Sequence, residues 1–174
     1  MRSYKTEGII LKRTNFGEAD RMLTVFTREQ GKIKIIAKGV RRITSRRSPN
    51  IELFNHVTLF VHKGRNVDLL TEAQTIETFE NIRKKLELVS LGYYVCELVD
   101  GLCAEHQQHI NVYNLLVSTL RELDHGIIQK FETTLLSELG FLTINPAVNM
   151  NTTSYIEQIL ERRLKTKNLL SKLT

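Results

Sequence analysis

The stretch Gly31-Lys32-Ile33-Lys34-Ile35-Ile36-Ala37-Lys38-Gly39-Val40-Arg41-Arg42 alternates apolar and cationic side chains, then breaks at a glycine into an arginine pair. Successive side chains of a β-strand point to opposite faces. Ile33, Ile35 and Ala37 therefore share one face, and Lys32, Lys34 and Lys38 share the other with Ile36. The first face is predicted to line a core and the second to carry positive charge outward. Four further strand-like runs surround it: Gly8 to Arg13, Arg21 to Thr27, Leu53 to His62 and Val67 to Glu72. Turns are expected at Asn15 to Asp20, at Glu29 to Lys32 and at Lys63-Gly64-Arg65-Asn66, with a polar loop from Gly39 to Glu52. Five short strands with glycine-containing turns predict a small barrel.

The apolar period then changes from two to between three and four. One stripe runs Ile82, Leu86, Val89, Tyr93, Cys96, Val99, Cys103, and a second runs Leu88, Leu91, Val95, Leu98, Leu102. A helix apolar on two sides is packed on both, so this one is expected at the centre of the helical half and against the barrel. Further helices are predicted over Val112 to Leu123, Ile127 to Leu139 and Tyr155 to Leu173, the last with Ser154 and Glu157 as a capping box. Gly140 stands at a C-cap position, with Pro146 beyond it. The fold class is thus α+β, with residues 1–79 as a β-barrel domain and 80–174 as a helical one.

Of the 174 residues, 41% are hydrophobic and 25% charged, which favours a packed core over disorder. No apolar run reaches the roughly 18 residues of a membrane span, and Met1 to Glu7 has no signal-peptide character, so a cytoplasmic location is expected. Cys96 and Cys103 lie seven apart in one helix, about 10 Å between Cα atoms, too far for a disulfide; both read as buried thiols.

The net charge is +6. Residues 1–80 hold 15 Lys+Arg against 9 Asp+Glu, and residues 81–174 hold 10 against 10, so the whole excess lies in the first half. Seven basic and no acidic residues fall between Gly31 and Ile51: Lys32, Lys34, Lys38, Arg41, Arg42, Arg46 and Arg47. A solvated face could explain one charge run. An acid-free run beside a net-neutral half points instead to an anionic polymer, and these seven are the candidate nucleic-acid-binding residues. Tyr4, Phe16, Phe54 and Phe60 could stack bases, but each reads more simply as core.

Other signals carry less. Cys103, His106 and His109 are closely spaced but lack a fourth ligand, so no metal site is expected. His56 and His62 read as surface residues, and Glu18 with Asp20 as turn carboxylates making local hydrogen bonds. No phosphate-binding loop, nucleophile elbow or acid–base pair is present, so no catalytic residues are assigned and no enzyme activity is expected.

Several segments resemble one family in order and spacing. These are Glu7 to Arg13, Gly17-Glu18-Ala19-Asp20-Arg21-Met22-Leu23-Thr24-Val25-Phe26-Thr27, Gly31-Lys32, Ala37 to Arg42, Leu53-Phe54, Leu69 to Ala73, and Leu135-Leu136-Ser137-Glu138-Leu139-Gly140-Phe141. Together they are similar to the RecO family of bacterial DNA repair proteins, which are recombination mediators. The resemblance implies an OB-fold barrel followed by an all-helical domain. It implies binding to single- and double-stranded DNA, strand annealing and recombinase loading, with RecR and the single-stranded-DNA-binding protein as partners. Many members carry a four-cysteine zinc module after the Gly-Phe pair, whereas Leu142 to Ser154 has no cysteine; the chain resembles a short form, and no zinc is expected. Two other readings stay open at this point: an RNA-binding module on the same barrel, and an adaptor whose neutral helical half binds another protein.

Overall fold

The computed structural model describes residues 2–142 and 150–173. Five strands, β1 (Ser3–Phe16), β2 (Asp20–Thr27), β3 (Gly31–Ala37), β4 (His56–His62) and β5 (Asp68–Glu77), close into a barrel in the order β1-β2-β3-β5-β4. This is the OB-fold arrangement, with a single parallel contact where Ile35 and Ile36 of β3 meet Asp68 and Leu69 of β5. Closure depends on β1, whose first half pairs with β4 and second half with β2. A register shift between Ile10 and Lys12 bends it from one partner to the other. At Gly8 a Cβ would lie 2.5 Å from Val25 Cγ1, so only glycine fits the crossing.

The triplet Ile9-Ile10-Leu11 is apolar on both faces because both are covered. Ile10 points into the barrel with Val25, Ile33, Ile35 and Leu59. Ile9 and Leu11 point out, and with Phe26 and Phe54 they join the core of the helical half. Helices α1 (Glu80–Arg83), α2 (Leu86–Leu102), α3 (Ile110–Arg121), α4 (Ile128–Glu138), α5 (Thr152–Leu160) and α6 (Lys167–Leu173) follow. The central helix, α2, packs on β1, β2, α1 and α6, as its two stripes require. Its thiol Cys96 and the adjoining Cys103 are unpaired and buried, and burial pushes the Cys103 thiol up to about 12. Helix α4 ends as expected at Gly140 (φ 80°), with the Gly140 and Phe141 amides donating to Ser137 and Leu136 carbonyls. Pro146 lies outside the described residues.

Four expectations need correction. Leu53 and Phe54 are a turn, not the start of β4. Phe54 takes φ 71°, which turns its ring out of the barrel and onto α2. A Cβ at Gly92 would stand 3.0 Å from that ring. The last helix is two helices. Glu161 takes φ 53°, and Leu164, 2% exposed, turns back into the core. The Glu97 carboxylate accepts from the Lys165 amide at 2.9 Å, the Thr166 amide at 2.9 Å and Arg162 Nη1 at 2.8 Å. Burial alone would raise the pKa of Glu97, but these bonds and that of the Thr166 hydroxyl hold it below the usual carboxylate value. The cap of α5 is Asn151, whose Oδ1 accepts from the Ser154 amide at 3.1 Å. Glu157 instead accepts from the Leu164 amide at 3.0 Å.

The fourth correction is His56, which is buried, with Nε2 2.7 Å from the Tyr113 hydroxyl of α3. Burial lowers its pKa, aided by Arg121, against the opposing pull of Glu7 and Glu77. The unfolded chain therefore takes up this proton first. The resulting stability is complete above the unfolded value near 6.5 and is lost as pH falls through the folded one. The melting temperature should drop as pH falls below about 6.5, and His56→Gln should flatten that limb; an unchanged limb would place the effect elsewhere.

Candidate nucleic-acid interface

The outer face of β3 is graded from one end to the other. At its start, the segment after α2 lies along the strand: the His106 amide donates to the Lys32 carbonyl at 2.9 Å. A Cβ at Gly31 would lie 1.8 Å from the Gln107 carbonyl oxygen. Lys32 is only 8% exposed. Its Nζ donates to the Asp100 carbonyl at 2.5 Å and sits 3.3 Å from Asp100 Oδ1. Two positions along, Lys34 is exposed but pairs with Glu105 at 2.5 Å. That hydrogen bond, and then the charge behind it, raises the Lys34 pKa and lowers that of Glu105.

Beyond Lys34 the face opens. Lys38, Arg41, Arg42 and Arg46 are all exposed, and none makes a salt bridge among the described residues. With Gly39, Thr44, Ser45 and Arg47, three of them (Lys38, Arg42 and Arg46) border an open concavity of about 510 Å³. The loop that carries them has defined anchors. Arg47 donates from Nη1 to the Leu70 carbonyl at 2.9 Å and from Nη2 to the Lys38 carbonyl at 2.5 Å. Asp20 Oδ1 accepts from the Gly39 amide at 2.7 Å, so this turn carboxylate bonds across to the loop and not locally. The Arg41 amide donates to the Ala19 carbonyl at 3.0 Å. A 3-10 turn, Ser48–Ile51, buries Ile51 and returns the chain to the barrel.

The seven predicted residues thus fall into three groups. Four are exposed cations without a salt bridge among the described residues, of which Arg41 also donates from Nη1 to the Gly17 carbonyl; Lys34 shares its charge with Glu105, and the less exposed Lys32 and Arg47 are bound to backbone carbonyls. Sequence reasoning passed over Lys63 and Arg65, exposed on the β4–β5 turn; a two-residue charge in a hairpin is a weak signal beside the longer run. Of the four aromatics, Phe54 is core. Tyr4 donates to Asp68 at 2.8 Å, Phe60 lies under Lys5 Nζ at 5.5 Å, and Phe16 is 48% exposed. Among the described residues, no three His, Cys, Asp or Glu side chains are grouped to hold a metal, and no helix is long and apolar enough to cross a membrane.

Replacing Lys32 with alanine separates structural from binding charge. Removing one partner of a mostly buried pair costs about 3–5 kcal/mol; because Asp100 is a third exposed, about 1–3 kcal/mol is expected here. Urea denaturation should show that loss, while oligonucleotide affinity of the folded protein stays within about twofold of wild type.

Residues 1–79 match the family model described as recombination protein O N terminal, and residues 83–143 the one described as recombination protein O C terminal. The chain is 37% identical over 145 residues to the DNA repair protein RecO of Roseiflexus sp., covering 80% of this chain and 51% of that one. It is 38% identical over 143 residues to the protein of that name from Dehalococcoides mccartyi, covering 79% and 56%. To that of Symbiobacterium thermophilum it is 36% identical over 147 residues, covering 81% and 58%. The chain therefore spans about half the length of the curated relatives it matches. With a closed five-stranded barrel, a helical half and both family models matched in order, the chain belongs to the recombination protein O family.

Proposed function

We propose that this chain is a non-catalytic DNA-binding recombination mediator that acts in repair by holding single and double strands and promoting their annealing. The observation that carries the reading is the group Lys38, Arg41, Arg42 and Arg46, exposed and without a salt bridge among the described residues, on and beside an open concavity. Cations of this kind neutralise phosphates, release counterions and position strands without reading sequence. Because the surface is an open concavity, a bound strand keeps its bases accessible to a complement. Lowered phosphate repulsion then favours pairing with no covalent step. Family membership supports recombinase loading in the cytoplasm, with a RecR-like protein and the single-stranded-DNA-binding protein as partners. The same charges would hold RNA, and direct competition between matched DNA and RNA oligonucleotides separates the two.

One observation favours an adaptor role beside the first. A crevice of about 450 Å³ opens where β1 meets α2, lined by Leu11, Leu53 and Tyr93 together with the cations Lys12, Arg13, Arg162 and Lys165 and the carboxylates Glu97 and Asp100. An apolar floor beside charges of both signs, with Arg162 paired to Glu97 and Arg13 to Glu52, suits a partner segment that carries apolar and polar side chains.

The deciding experiment is annealing of complementary oligonucleotides at two salt concentrations, by wild type and by a variant with Lys38, Arg41, Arg42 and Arg46 changed to alanine. Circular dichroism serves as the folding control. Annealing that is salt-sensitive and lost in the folded variant is expected. Undiminished annealing by that variant would move the site elsewhere, and no annealing by wild type would leave the adaptor reading.

A further inference from the structure

Two apolar side chains stand where folding gives them nothing to do. Ile43 is 105% exposed and Phe16 is 48% exposed. Both belong to the basic surface. Ile43 lies in the loop between Arg42 and Thr44, which border the concavity. Phe16 is paired across the β1–β2 hairpin with Asp20, and Asp20 borders the same concavity and holds the Gly39 amide. The hairpin turn and the loop are stitched together, because Arg41 donates from its amide to Ala19 and from Nη1 to the Gly17 carbonyl at 3.2 Å. Phe16 and Ile43 thus rise from one continuous, cation-rich surface.

Exposed apolar groups ringed by cations match the two halves of a nucleotide. The phosphate is anionic and the base presents an apolar face. Among the described residues, Asp20 is the only acidic side chain bordering the concavity, and its Oδ1 is engaged by the Gly39 amide. We propose that Phe16 is a stacking platform and Ile43 an apolar wedge for the unpaired bases of a strand whose phosphates lie along Lys38, Arg41, Arg42 and Arg46. The inference rests on the DNA-binding reading and adds to it what the ligand must be: a strand with exposed base faces, rather than any polyanion. Aromatic side chains take every base, since each has a π-face, and apolar wedges occupy opened base steps. The surface therefore favours single strands and opened duplex ends without favouring a sequence.

The test compares an oligothymidylate with an abasic oligodeoxynucleotide of the same length, which keeps the phosphates and removes the bases. By fluorescence anisotropy at low salt, wild type should bind the oligothymidylate at least about fivefold tighter. F16A combined with I43S should bind both ligands alike, with the salt slope unchanged. Both positions lie outside the two cores, and circular dichroism checks the fold. The chain has no tryptophan, so F16W supplies a single indole whose emission should be quenched by the oligothymidylate and not by the abasic strand. Equal binding of both ligands by wild type overturns the proposal while leaving the charge-based reading in place. So does a double variant that keeps the preference. Binding of neither ligand overturns both readings together.

Discussion

Changing Lys38, Arg41, Arg42 and Arg46 together to alanine should weaken binding to a single-stranded oligonucleotide by about two orders of magnitude at ~0.1 M salt. The slope of log affinity against log salt should flatten by about 0.7 for each phosphate contact removed, and so by close to 3 in all. Fold stability should hardly move, because all four side chains are exposed and surface substitutions of this kind fall within about 0.5 kcal/mol. Arg47 is left out because its guanidinium carries the Leu70 and Lys38 carbonyls, and losing it would loosen the loop itself. Lys34 is left out because Glu105 already neutralises it. Anisotropy at several salt concentrations reads both quantities. A variant whose slope matches wild type would show that these four cations touch no phosphate.

The barrel was legible because its signals are local. Alternation from Gly31 to Lys38 places Ile33, Ile35 and Ala37 inside, and the turns at Gly17 and Gly31 take the positive φ that glycine allows, 59° and 68°. The candidate site was legible only in outline. Lys32, Lys34 and Lys38 are equivalent in the strand pattern. They differ in what lies across from them: Asp100, 68 positions on from Lys32, then Glu105, then solvent. No periodicity carries that information. His56 was misplaced for the same reason, since its partner Tyr113 is 57 positions away. The break at Glu161 has no glycine or proline to mark it. It is set by the Glu97 carboxylate on α2, which collects the Lys165 and Thr166 amides. Phe16 stands in the expected turn and reads as core until the structure extends β1 to it and leaves the side chain half exposed.

Glu132→Ala should produce the largest loss of stability, about 2–5 kcal/mol. Glu132 sits in α4 and is 4% exposed. The hydroxyls of Tyr94 on α2 and Thr152 on α5 both donate to its carboxylate, and the Thr153 hydroxyl lies at 3.4 Å. One side chain therefore joins three helices. Burial, then the neighbouring Glu132 charge and the hydrogen bond to it, raise the Tyr94 pKa, so the phenol stays protonated as a donor. Alanine removes the acceptor, strands two buried hydroxyls and leaves a void. Gln keeps the shape and one oxygen but turns an amide NH2 toward a donor, so an intermediate loss is expected. Removing the polar partners together, as in Y94F and T152V with E132L, should recover part of the deficit, because neither buried hydroxyl is then left wanting an acceptor. Urea midpoints should order as wild type, Glu132→Gln, Glu132→Ala, with similar m-values. Because the basic loop lies on the barrel, oligonucleotide affinity below the unfolding transition should be unchanged in all of them. Equal midpoints for Glu132→Ala and wild type would mean that water replaces the carboxylate and that the three helices are held by their apolar contacts alone.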